Sequence, residues 1–216
     1  MRLTIFSRSS VACLLVGALY GQIAEASSAD PLLMIQHRWA QCQYKQSDND
    51  KQIACFKHLI TANQQALTQF PQRADLKVWL AINNASLAAS QGGLGALSYV
   101  KKAKTLLEDV IQTAPNTLQG SAYTTLGSLY YKVPGWPVGF GDDDMAEKML
   151  KKALVINPKG IDPNYFYADF LVDQDKEQQA IKYFKQAQQA PARAHRHLAD
   201  QARHEEIAQR LQQLEQ

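Results

Sequence analysis

The sequence predicts an all-α protein built from stacked helix pairs. Three observations carry this. After residue 26 no stretch alternates polar and β-branched apolar residues as a half-buried strand would. Ala, Leu, Gln and Lys, all good helix formers, are abundant throughout. Prolines close four periodic stretches: Pro71 after "ALTQF", Pro115 after "VIQTA", Pro158 after "ALVIN" and Pro191 after "AQQA". Proline cannot continue a helix and is common just past its end. The prolines stand 44, 43 and 33 residues apart, a spacing that suits repeated helical units.

The first 26 residues read as a secretory signal. Arg2 and Arg8 precede the short apolar run "VACLLVGALYG", and Ala24 and Ala26 put small residues at the two positions a signal peptidase reads before cleavage after Ala26. The run is too short to span a bilayer comfortably. Cys13 precedes most of it, which disfavours a lipid anchor there. Removing Arg2, Arg8 and Glu25 from the 23 basic and 20 acidic residues leaves a net charge of +2. That near-neutral balance points away from nucleic acid and anionic membrane surfaces. No later segment is apolar enough to cross a membrane. The expectation is a periplasmic protein of a Gram-negative bacterium, with residues 27–216 as one helical domain.

Residues 31–71 read as a degenerate N-terminal helix pair around the polar turn "QSDND". Cys42 and Cys55 flank that turn. An exported chain with two cysteines on a helical hairpin suggests a disulfide. The alternative is two small residues packed as hydrophobes. Residues 74–115 hold "AINNASLAAS" in a first helix with Trp79, then Ala103 and Leu107 in a second. Residues 118–158 place Leu126, Gly127 and Tyr130 in one helix and Ala146, Leu150 and Ala153 in the next. In 162–191, Asp162 reads as an N-cap with Pro163 at the first helical position. Ala168 and Leu171 then face Ala180, Phe184 and Ala187 across the turn "DQDKE". Residues 197–215 form a polar amphipathic helix whose Leu198, Ala202, Ile207, Leu211 and Leu214 would face the last repeat. Stacked repeats need such a cap.

These offsets resemble the tetratricopeptide repeat, a helix–turn–helix unit of about 34 residues. Tyr167, Ala168, Leu171, Ala180, Phe184, Ala187 and the closing Pro191 carry the match. The unit before it departs once. Gly127 to Ala146 is longer than Ala168 to Ala180, so "VPGWPVG" and its neighbours enlarge the turn inside that repeat. The resemblance implies a right-handed superhelix of antiparallel pairs, with first helices lining a concave groove. It implies groove positions at Thr124, Ser128 and Tyr131, and at Tyr165, Asp169 and Val172. Asn83 and Asn84 are the nearest equivalents in the looser repeat. The segment from Gly127 to Leu171, with "GFGDDDMAEKMLKKALVINP", also resembles the periplasmic T component of TRAP-type transporters. That likeness implies a transport-associated carrier of a small ligand.

The enlarged turn contains Trp136 and Phe140. Two readings stand: the rings plug the gap made by the insertion, or they form a lip that touches a partner. Asp142, Asp143 and Asp144 suit the start of the following helix, where acids satisfy free backbone N–H groups. Their spacing does not match a calcium loop. His195, His197 and His204 read as surface residues and not a zinc site. No nucleophile motif, metalloprotease helix or phosphate-cradling loop occurs. The sequence therefore predicts a non-enzymatic scaffold without cofactor or metal. Its partner is a protein or peptide held in the groove, with a transporter component or small ligand as the alternative.

Overall fold

The structure is a computed structural model and describes residues 30–216. The signal segment lies outside the described residues. Within them the chain forms α1 (Pro31–Tyr44), α2 (Asn49–Gln69), α3 (Ala74–Gln91), α4 (Leu97–Thr113), α5 (Ser121–Lys132), α6 (Asp143–Ile156), α7 (Ile161–Asp173), α8 (Glu177–Gln188) and α9 (His197–Leu214). No strand occurs among the described residues.

Local chemistry explains the helix starts. The Asp30 carboxylate accepts from the Leu32 N–H at 3.0 Å, with Pro31 at the first helical position. Asp48 accepts from Lys51 N at 2.9 Å at the start of α2, and Asp142 from Met145 N at 2.9 Å at the start of α6. Each satisfies an N–H that no helical carbonyl can reach. Asp162 departs from expectation. It lies inside α7, whose first residue is Ile161. Asn164 stands below that end and donates to Pro158 O and Gly160 O at 2.9 and 2.8 Å. Asp162 is thereby free to face Arg193 and Arg203.

Neighbouring helices pair in sequence, α1 with α2, α3 with α4, α5 with α6 and α7 with α8. Small residues set the close crossings. A Cβ at Gly127 would stand 2.7 Å from Leu150 Cγ and 3.2 Å from Leu150 N. Only glycine allows α5 and α6 to approach this closely. Ala168, Ala180, Phe184 and Ala187 are fully buried between α7 and α8. In the first pair Cys42 and Cys55 are joined as a disulfide, with Cα atoms 5.6 Å apart. Trp39 packs edge-on against Trp79 at 5.7 Å and donates Nε1–H to Ser86 Oγ at 2.8 Å, locking α1 to α3.

The last helix does more than cap. Ile207 and Leu211 join the main core beside Phe184 of α8. Ala199 and Leu198 instead join the core formed by α1, α2 and α3. His37 Nε2 of α1 also lies 2.6 Å from His195 O. The sequence reading placed Leu198 and Ile207 alike against the last repeat; α9 instead spans from the last repeat back to the first helix. The connector before it sets this course. His195 has φ 60°, and Arg193 is clamped between Asp162 of α7 and Asp200 of α9.

Candidate functional site: the central groove

Because α9 meets α1, the concave side of the stack is bounded at both chain ends. It encloses a groove of about 1390 Å³. Trp39 of α1, Trp79 and Ser86 of α3, Thr124 and Ser128 of α5, and Tyr165 and Asp169 of α7 line it. Arg203 and Arg210 of α9 complete the wall, and Pro134 and Val138 of the enlarged turn reach its edge.

Of the residues proposed from sequence, Thr124, Ser128, Tyr165 and Asp169 meet in this groove. Asn83 and Asn84 do not. Asn83 is fully buried and donates to Asn63 Oδ1 at 3.1 Å, while Asn84 donates back to Leu80 O at 2.7 Å. Ile82, Ala85 and Ser86 occupy the wall in their place. A helix turns about 100° per residue, so a register error of one or two positions moves a side chain off the face. Val172 is half-buried and packs against the core. Tyr131 stands behind the wall, stacked edge-on with Phe170 at 5.5 Å. Its hydroxyl donates to Asp169 Oδ2 at 2.8 Å.

Asp169 is the electrostatic centre of the α5–α7–α9 side. Its carboxylate also accepts from Lys132 Nζ at 2.6 Å and Arg210 at 2.9 Å. Burial raises its pKa, but Lys132, Tyr131 and Arg210 outweigh that and hold it below the ordinary carboxylate range. Burial and the Asp169 charge push the Tyr131 hydroxyl well up, so it stays protonated and donates. Nearby, Arg203 lies 4.0 Å from the Tyr165 ring centroid and 5.1 Å from that of Phe166. It pairs with Glu206 at 2.5 Å and approaches Asp162 at 3.6 Å. The sequence reading missed these arginines. The signal was present: Arg196, Arg203 and Arg210 recur every seven residues, the last two on one face of α9 and the first at the residue before it.

The two rings of the enlarged turn part company. Phe140 is half-buried, edge-on to Tyr130 at 5.7 Å. Trp136 is 89% exposed. Of the two rings, Phe140 packs onto the core and Trp136 does not. The turn is braced by its own backbone, with Gly141 N–H donating to Pro134 O at 3.0 Å and Asp142 N–H to Tyr130 O at 2.9 Å. A Cβ at Gly141 would collide with Val133 O, so this closure requires glycine. Asp143 and Asp144 occupy the first turn of α6. His195 and His197 are exposed, and His204 is half-buried on α9. Among the described residues no group of three or more His, Cys, Asp or Glu is placed to hold a metal. Nor is any described helix long and apolar enough to cross a membrane.

No family model matches the chain, and no curated protein does. Solved structures do. A thermophilic tetratricopeptide-repeat protein of Thermus thermophilus superposes with a TM-score of 0.57 at 19% identity, covering 85% of this chain and 79% of its own. The chain has the tetratricopeptide fold. MamA from AMB-1 aligns over 86% of this chain and 97% of its own, at 18% identity and a TM-score of 0.38.

Proposed function

We propose that the chain is an exported tetratricopeptide scaffold that holds a peptide segment of a protein partner in its central groove. One observation carries this. The groove exceeds the roughly 300–1,000 Å³ usual for small-molecule sites, and its wall mixes aromatic rings with hydrogen-bonding groups from five helices. The half-buried Ile82, Leu97 and Phe166 supply apolar area and Ser86 and Ser128 supply polar contacts, over a buried backing of Trp39, Trp79 and Tyr165. The disulfide fits an oxidising compartment. The exposed Trp136 gives a partner an anchor at the edge where Pro134 and Val138 enter the wall.

A second reading, a small-ligand carrier, is favoured by the α9–α1 closure, which bounds the groove. Photo-cross-linking separates the two. A benzophenone amino acid at Ser128 in the exporting host is expected to give a discrete protein adduct, whereas the same group at the exposed Lys102 of α4 gives none. Labelling equal at both positions, or none at Ser128, contradicts the peptide scaffold.

A further inference from the structure

Two arginines of α9, and a third at the residue just before it, stand seven residues apart, and the two on α9 face acids of α7. Arg210 pairs with Asp169, and Arg203 approaches Asp162, seven residues earlier. The third arginine, Arg196, just before α9, pairs with no acid among the described residues. Its guanidinium lies 4.9 Å from the Trp79 ring centroid, and its Nε is buried without a partner. Asp162 and Asp200 are near enough to favour its charge, yet Arg193 and Arg203 already engage both carboxylates. The indole beneath it is 3% exposed, and Trp79 Nε1–H also lacks a partner. Both residues belong to the groove wall.

An isolated desolvated cation is costly unless an anion meets it. Burial and the neighbouring Arg193 lower the Arg196 pKa to about 10. The surrounding wall is positive, with six Lys or Arg against three Asp or Glu. It is also aromatic at this end: Trp39 packs on Trp79 and edge-on against Tyr44. Burial pushes the Tyr44 hydroxyl up to about 12, so it is neutral and able to donate.

We propose that Arg196, seated on Trp79 where α9 meets α1, is an anion subsite that takes a carboxylate borne on an apolar segment of the ligand. The planar guanidinium offers the forked donor geometry that a carboxylate fits. The ligand thus supplies the acid that neither α7 nor α9 leaves free for Arg196. This rests on the groove being the ligand site.

The test uses the ¹⁵N-labelled mature chain and follows the Trp79 Nε1–H and Arg196 Nε–H signals. The probes are acetyl-Leu-Glu-Leu-amide, acetyl-Leu-Gln-Leu-amide and hexanoate. The Glu peptide is expected to move both signals to saturation and to bind about tenfold or more tightly than the Gln peptide, as a charged fork requires. Hexanoate binding as tightly as the Glu peptide supports the carboxylate and assigns it to a free acid. Arg196→Gln should erase the Glu preference, and Arg196→Lys, which keeps the charge and loses the fork, should retain part of it. Equal binding of both peptides, a preference that survives Arg196→Gln, or no movement from any probe overturns the subsite. The two proposals fail separately. A Ser128 adduct of unchanged yield in Arg196→Gln removes the subsite alone. Saturable Glu-dependent shifts without any Ser128 adduct keep the subsite and remove the protein partner.

Discussion

Gly127→Ala probes the crossing on which the stack depends. The new Cβ would lie 2.7 Å from Leu150 Cγ, 3.0 Å from Cδ2 and 3.2 Å from the Leu150 backbone N. Carbon atoms pack best at about 3.5–4.0 Å, so α5 and α6 must part by about an ångström or Leu150 must leave its rotamer. Overpacking of this kind costs about 1–3 kcal/mol. Alanine offsets about 0.5–1 kcal/mol of that through its better helix propensity. The net loss is about 1 kcal/mol, which lowers Tm by about 2–4 °C in a chain of this size. A double-mutant cycle isolates the cause. In a Leu150→Ala background the clash is gone, so Gly127→Ala should become neutral or stabilising. Urea unfolding of the four proteins gives the coupling, expected at about 1–3 kcal/mol. Stabilisation by Gly127→Ala alone, or the same penalty in both backgrounds, refutes the close crossing.

Removing the disulfide by Cys42→Ser with Cys55→Ser should cost about 3 kcal/mol, since the bridge closes a short loop of sequence separation 13 in the unfolded chain; urea midpoints of the two proteins check it. Asp169→Asn leaves Lys132 and Arg210 without their acid. Both are about half exposed, so the loss should be about 1–3 kcal/mol instead of the roughly 3–5 kcal/mol of a fully buried pair. The folded Asp169 pKa is lowered, so its contribution is present above the unfolded value near 4 and fades as pH falls through the folded one. The stability gap between wild type and Asp169→Asn should therefore be widest near neutral pH and shrink below about pH 4; a constant gap in urea titrations from pH 7 to 3 contradicts this. Trp136→Ala should shift stability by less than about 0.5 kcal/mol because the ring is 89% exposed, and a larger loss in thermal melts would return Trp136 to the plug.

The helix pairs were legible because their signals are local. Proline stops, the Asp142 cap and the small residues Gly127, Ala168 and Ala180 act within one turn or one crossing. The groove was half legible for the same reason. In the two regular repeats the offsets placed Thr124, Ser128, Tyr165 and Asp169 on the concave wall. In α3 no small–large pair pins the register, so Asn83 and Asn84 fall off the groove wall: Asn83 is buried against Asn63, and Asn84 bonds back to Leu80 O of its own helix. The return of α9 to α1 was hidden because it rests on contacts far apart in sequence, such as His37 with His195. The path of the connector turns on the ion pairs of Arg193, which no periodicity encodes.

The closure of the groove can be tested directly. Gln41 of α1 and His197 of α9 are both exposed and line one small hollow of about 190 Å³ between the two helices. With the native disulfide intact, Gln41→Cys combined with His197→Cys should be joined by a short bis-maleimide within the monomer, without loss of melting temperature. Two singly labelled cysteines with no internal link, or links only between separate chains, would mean that α9 does not return to α1 and that the groove is open at that end.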